Sequence, residues 1–123
     1  MANEITTVVS FAASKGGAAI NSGSISDTID MTGVDMGTVT QEIGTSNEAL
    51  DVPADVSGDI HLVVKNLDAT NYVEIFKDSG NAHLLSKLYA GESCSLRRIP
   101  STTSLYGRAH TAAVQIQFWI CEA

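Results

Sequence analysis

Apolar and polar side chains alternate with a period of two along most of this chain. The pattern is clearest over Asp59–Lys77, DIHLVVKNLDATNYVEIFK. Ile60, Leu62 and Val64 alternate with His61, Val63 and Lys65. After a polar break, Tyr72, Glu74 and Phe76 alternate with Val73, Ile75 and Lys77. Successive side chains of an extended strand point to opposite faces, so this alternation predicts half-buried strands. The intervening Asn66–Asn71 supplies Asn and Asp side chains that bond their own backbone in turns. The stretch therefore reads as a hairpin with one buried face.

The same pattern recurs on both sides. Glu4–Ala12 places Ile5, Thr7, Val9 and Phe11 on one face. Ser24–Met31 sets Ile25, Asp27, Ile29 and Met31 against Ser26, Thr28 and Asp30. Ser14–Gly17 is a turn or joint, and Ala18–Gly23 suggests no regular element. Thr32–Gly37 turns the chain, and Thr38–Thr45 follows as a strand. Ser46–Leu50 can start one helical turn capped by Ser46 or Asn47, ended by Pro53. Asp78-Ser79-Gly80-Asn81 is a turn. His83–Leu88, Ser93–Ile99, Ser104–His110 and Ala112–Cys121 are strands, with a loop at Pro100–Ser104. In Ser93–Ile99, Cys94, Leu96 and Arg98 oppose Ser95, Arg97 and Ile99. In the last strand Val114, Ile116, Phe118 and Ile120 face in, while Gln115, Gln117 and Trp119 face out.

Turn signals recur every ~8–12 residues and no amphipathic helix of useful length appears. The expected fold is all-β: an antiparallel β-sandwich of about eight or nine short strands, with a jelly roll as one form of it. At 123 residues the chain fits one domain, 1–123, in which 1–23 could form an extended N-terminal arm.

Composition narrows the function. The net charge of −7 argues against nucleic-acid partners, because neutralising phosphates takes a basic patch. No run of ~18 apolar residues marks a membrane helix. The N-terminus lacks the basic start and continuous apolar core of a secretory signal, so the chain is expected to remain in the cytoplasm where it is made. Only 17% of residues are charged against 44% hydrophobic, which suits a surface hidden in an assembly. It equally suits a domain kept soluble by hydroxyl groups.

No catalytic pattern emerges. His61, His83 and His110 lack the spacing of a metal site. Glu74 and Glu92 make a generic carboxylate pair rather than a glycosidase signature. Asp27, Asp30 and Asp35 do not match a calcium loop. No serine sits in a nucleophile elbow and no phosphate loop is present. No enzyme activity, metal or cofactor is expected. Cys94 and Cys121 read as small buried hydrophobes, with a disulfide between them as the other reading. The candidate interface residues are Trp119, Tyr106, Arg97, Arg98 and Tyr72. Trp119 could stack on a sugar, anchor an interface, or pair across strands with Tyr106. Arg97 and Arg98 could meet acidic groups of a neighbouring subunit, or form a solvated edge that discourages strand addition.

Several short phrases occur in a particular order over about residues 41–122. They are Gln41-Glu42-Ile43-Gly44-Thr45, Lys65-Asn66-Leu67-Asp68, Asn71-Tyr72-Val73-Glu74-Ile75, Gly91-Glu92, Leu96-Arg97-Arg98-Ile99-Pro100 and Ile120-Cys121-Glu122. In that order they resemble small virion proteins of tailed bacteriophages. The resemblance implies a β-sandwich subunit of a phage particle, located in the virion and assembled in the host cytoplasm. A capsid decoration (cement) protein is the first choice. It would stabilise the head by bridging major capsid subunits or other virion proteins. A homo-oligomer is implied, with a trimer favoured. A tail, neck, baseplate or fibre component, or a carbohydrate-binding module using Trp119 and Tyr106 on the host surface, is the alternative. In that setting Met1–Gly23 would be an arm that orders on the particle.

Overall fold

The computed structural model describes residues 4–31, 33–100 and 104–122. Their regular structure consists of ten strands: β1 (Ile5–Lys15), β2 (Ala18–Ile29), β3 (Met36–Ile43), β4 (Glu48–Ala49), β5 (Asp59–Asn66), β6 (Val73–Phe76), β7 (Leu84–Leu88), β8 (Ser93–Pro100), β9 (Tyr106–Ala109) and β10 (Val114–Glu122). Every pairing is antiparallel. The front sheet has the order β3-β10-β5-β8 and the back sheet β4-β9-β6-β7, while β1 and β2 form a separate two-stranded ribbon. The fold is an all-β sandwich, as the alternation predicts.

The core lies between the two sheets. Ile60, Leu62 and Val64 of β5 and Val114, Ile116, Phe118 and Ile120 of β10 come from the front. Val73, Ile75, Leu88 and Ala109 come from the back, and Leu50, Val56 and Leu105 join them from the connecting segments. Each fully buried side chain of this size contributes about 1.5–3 kcal/mol. The central position of β10 follows from its sequence. Its four apolar residues are spaced two apart, and it can pair on both edges, with β3 through Phe118↔Val39 and with β5 through Phe118↔Val64.

The expected hairpin over Asp59–Lys77 does not form. Both of its strands exist, but β5 lies in the front sheet and β6 in the back. Six of the seven connections between β3 and β10 pass from one sheet to the other, and only β6–β7 stays within a sheet. Buried polar side chains hold these crossings in place. Asn66 is fully buried. Its Nδ2 donates to the carbonyls of Asn71 (2.9 Å) and Leu88 (3.0 Å), and its Oδ1 accepts from the Asp68 N–H (2.8 Å). The turn after β5 is thereby tied to the end of β7 instead of folding back beside β5. Gln41 plays the same part after β3: Nε2 donates to the Ala49 carbonyl and Oε1 accepts from the Asp51 N–H. The Glu122 carboxylate accepts from the N–H groups of Asp35 and Ser57 and from the Ser57 hydroxyl. A buried polar group costs heavily unless satisfied, so each acts as a specific pin.

Three further expectations change. The helical turn at Ser46–Leu50 is replaced by β4, which pairs with Tyr106 and Gly107 of β9. The Leu50 N–H donates to the Leu105 carbonyl, continuing that ladder. Ala18–Gly23 is part of β2 instead of irregular chain. In β8 the simple alternation fails after Leu96, because Ile60 faces Ile99 while Leu62 faces Leu96. The extra residue makes a bulge with Arg98 at φ 53°, so Arg97 and Arg98 are both exposed and Ile99 packs inward. Most of the loop expected at Pro100–Ser104, and Thr32 of the turn before β3, lie outside the described residues.

Candidate interaction surfaces

The ribbon β1–β2 is the feature that departs most from an ordinary sandwich. Its register pairs Ile5 with Ile29, Thr7 with Asp27, Val9 with Ile25 and Ala13 with Ile20. Cross-strand partners share a face. One face therefore carries Ile5, Thr7, Val9, Phe11, Ala13, Ile20, Ile25, Asp27 and Ile29. The other carries Thr6, Val8, Ser10, Ser14, Asn21, Ser24, Ser26 and Thr28. Gly16 (φ 59°) and Gly17 (φ 85°) make the tip, where the tight turn of a twisted ribbon needs positive φ at both central positions. A bulge opposite Phe11, with Gly23 at φ 66°, interrupts β2; the Phe11 N–H donates to Ser22 Oγ there.

The base of the apolar face rests on the outer side of the front sheet. Ile5 is buried. Thr7 Oγ1 lies 3.4 Å from His61 Nε2 on β5, and Asp27 pairs with Arg97 on β8 at 2.8 Å. Between β1 and the sheet is an apolar cavity of about 450 Å³, lined in part by Ile5, Val8, Met36, His61, Trp119 and Cys121. Past this seat the apolar side chains of the ribbon are exposed. Val9 is 46% exposed, Phe11 59%, Ile20 62% and Ile25 50%.

His61 is buried beneath the ribbon and its Nδ1 has no hydrogen-bond partner among the described residues. Burial, and then the charges of Arg97 and Arg98, push its pKa below the ordinary histidine value, which favours the neutral ring. The neighbouring Cys121 pairs across strands with His61 and Met36; Cys94 packs against the core from β8. Both thiols are free. Burial raises both thiol pKa values, keeping them as unreactive thiols.

The outer side of the back sheet carries a second cluster. The Tyr72 ring stacks on His110 at 5.3 Å and contacts Tyr89 at 5.5 Å. Lys87 Nζ sits 4.1 Å from the Tyr72 centroid. Hydrogen bonding to Tyr89 raises the Lys87 pKa, helped by the nearby Tyr72, Tyr89 and Glu74. Arg108 pairs with Glu74 at 3.0 Å and covers the Phe76 ring at 5.2 Å. Lys87 and His110 both take up Tyr72, which limits its use as a stacking surface for a ligand.

The structure thus separates the residues singled out from sequence. Trp119 faces outward on the front sheet, beside Thr38 and Val63. Tyr106 lies on β9 of the back sheet, opposite Phe76. They are on opposite sheets, so they are neither cross-strand partners nor a shared sugar platform. Arg97 is engaged by Asp27 of its own chain, and Arg98 occupies the bulge. Tyr72 anchors the back-sheet cluster, whose other members, Tyr89, Lys87, His110, Arg108 and Glu74, sequence reasoning did not group. Glu74 and Lys87 face each other only through the β6–β7 register, which alternation alone does not reveal. His83 is elsewhere, 3.5 Å from Asp78. Glu74 is held by Arg108, and Glu92 accepts from the Tyr89 N–H in the β7–β8 turn. Among the described residues no group of three His, Cys, Asp or Glu is placed to hold a metal ion, and no helix is long and apolar enough to cross a membrane.

No family model matches the chain, and no curated protein matches it. Among solved structures it is similar to one from work on Bacillus endospore appendages, described as a family of disulfide-linked pili. That likeness has 14% identity and a TM-score of 0.46, over 98% of this chain and 89% of the other.

Proposed function

We propose that this chain is a structural subunit of a bacteriophage particle, a head decoration protein that binds capsid subunits and ties them together. It acts by burying surface and performs no catalysis. The observation that carries the assembly role is the β1–β2 ribbon. Its apolar face is seated on the body for one end only, leaving Val9, Phe11, Ile20 and Ile25 uncovered. An isolated two-stranded ribbon is marginal in water, and a contiguous exposed apolar patch marks an interaction surface. The folded chain is completed by a neighbour.

The assignment to a phage particle comes from the ordered phrases in residues 41–122, which are similar to those of small virion proteins. In the structure several of these phrases hold the sandwich: Gln41, Asn66 and Glu122 are buried pins. Gly91 (φ 79°) with Glu92 makes the β7–β8 turn. The strand order, with one in-sheet connection and six crossings, supports reading the sandwich as a jelly roll, two Greek keys wound together. An ordinary interface of about 1,600 Å² suffices for specific binding, and many copies on one particle add avidity.

Co-sedimentation with capsids assembled from the major capsid protein alone tests this reading. Saturable binding at a fixed copy ratio, with capsids that withstand more heat, is the expected result. Failure to bind such capsids, with binding to tails instead, would replace the head by the tail.

A further inference from the structure

We infer that the uncovered end of the β1–β2 ribbon packs on the outer front sheet of a second copy of this chain. The inference rests on the reading of the protein as an assembly subunit, but not on the phage head. Three observations lead to it.

The first is continuity. The proximal half of the ribbon's apolar face already rests on the outer front sheet of its own body, through Ile5, the Thr7–His61 contact and the Asp27–Arg97 pair. The distal half has the same chemistry: Val9 pairs with Ile25, Ile20 pairs with Ala13, and Phe11, at the bulge between these pairs, follows Val9 by two residues on β1. Beside the seat the front sheet keeps apolar surface in water, with Met36 64% and Trp119 41% exposed. The chain carries both halves of a matching pair, and the uncovered halves cannot meet within one molecule because the ribbon runs past the seat. From Val9 to Lys15 it extends about 20 Å further, at a rise of about 3.3 Å per residue.

The second is charge. The protein has a net charge of −7, so copies repel one another over most of their surface. From Val8 to Ser26 the only charged residue is Lys15, at the ribbon tip. Lys15 contributes +1, so the rest of the chain carries −8. The ribbon, with a single charge at its tip, is therefore the part of one copy that approaches the acidic body of another at least electrostatic cost.

The third is area. Four aliphatic and aromatic side chains of ~150–200 Å², each about half uncovered, leave on the order of 400 Å² of apolar surface on each ribbon. Covering it removes a similar area from the receiving sheet. A reciprocal exchange between two copies then buries on the order of 1,600 Å² in total, the size of a stable specific interface.

Sedimentation velocity on the full chain from 1 to 100 μM provides the test, with Phe11→Asp on the ribbon and Met36→Lys on the receiving sheet. Both positions are exposed, so each variant should retain the wild-type far-UV circular dichroism, and its urea midpoint should match that of the wild type at concentrations low enough for the wild type to be monomeric. Phe11→Leu serves as the conservative control. The expected result is a self-associated wild type and Phe11→Leu, with dissociation constants for Phe11→Asp and Met36→Lys raised at least ~100-fold, the effect of losing one buried anchor. A monomeric wild type at 100 μM overturns the inference. So does association that survives Phe11→Asp, or that is lost with Phe11→Asp and unaffected by Met36→Lys. Capsid co-sedimentation of the same variants keeps the two proposals apart. A wild type that self-associates but ignores capsids removes the phage-head reading alone. A wild type that is monomeric in solution, yet needs Phe11 to bind capsids, assigns the ribbon to the capsid and removes this one.

Discussion

Replacing Asn66 with Ala tests whether a buried side chain, rather than strand alternation, decides that β5 and β6 part company. Asn66 is fully buried and makes three hydrogen bonds of 2.8–3.0 Å. Truncation leaves the carbonyls of Leu88 and Asn71 and the N–H of Asp68 without these partners. The Leu88 bond is wholly inside the protein, whereas the other two are partly buried and can be repaired in part by water. An unsatisfied buried group costs about 1–3 kcal/mol. Taking the upper half of that range for Leu88 and about half a kcal/mol for each of the others gives about 3–4 kcal/mol. That is a large share of the 5–15 kcal/mol that stabilises a typical domain. With a urea m-value of about 1.5–2 kcal/mol/M, the midpoint should fall by roughly 2 M. Equilibrium unfolding followed by Trp119 fluorescence and far-UV circular dichroism measures this. Asn66→Asp adds a pH signature. Its carboxylate still accepts from the Asp68 N–H but faces two carbonyl oxygens, so its folded-state pKa is raised above the ordinary ~3.9. The folded state then binds the proton more tightly than the unfolded state, and stability recovers as pH falls through the raised value. A loss of less than ~1 kcal/mol in Asn66→Ala, or no recovery of Asn66→Asp at low pH, would refute the claim that this amide holds the crossing.

Arg97→Ala removes a pair whose members are 36% and 48% exposed. It should cost about 0.5 kcal/mol or less globally, yet speed amide exchange along β1 and β2, as hydrogen–deuterium exchange would register. His61 has a folded pKa below its unfolded value, so its contribution to stability is complete above about pH 6.5. That contribution is lost as pH falls from there through the folded value, because the unfolded chain takes up the proton first. His61→Leu should flatten this part of a stability–pH curve; an unchanged slope would show that another group is responsible. Cys94 packs inward from β8 and Cys121 lies on the outer side of β10, with β5 between these strands. Thiol titration should therefore find two free, slowly reacting groups in the native protein, and two rapidly reacting ones in urea. A non-reducing mass spectrum lighter than the sequence by two hydrogen atoms would contradict this placement.

Much of the fold was legible in the alternation, because side-chain direction in a strand is local. The inward set of β10 and the β5 set Ile60, Leu62 and Val64 occupy the core as read, and the Asp78–Asn81 turn carries Asn81 at φ 57°. What alternation lacked was any record of partners. A hairpin and a crossing between sheets look alike along Asp59–Lys77, since both need two alternating strands and a polar break. The difference lies in Asn66 reaching Leu88, 22 residues away. The same limit explains Trp119 and Tyr106. Each could be seen to be outward-facing or exposed, but two outer faces of a sandwich are identical in sequence pattern and some distance apart in space.

By itself, the sequence determined that the chain is extended nearly throughout, which residues face inward along most strands, and that Ile5, Thr7, Val9 and Phe11 share a face. Tertiary structure decided which strands are neighbours and that the β8 bulge turns both arginines outward. It also decided that one end of the β1–β2 apolar face is buried while the other is left in water. The physical reason is that backbone geometry sets side-chain direction within a few residues, whereas pairing and cover depend on contacts between residues far apart in the chain. Such contacts are selected by the joint free energy of burial and hydrogen bonding over the whole sandwich.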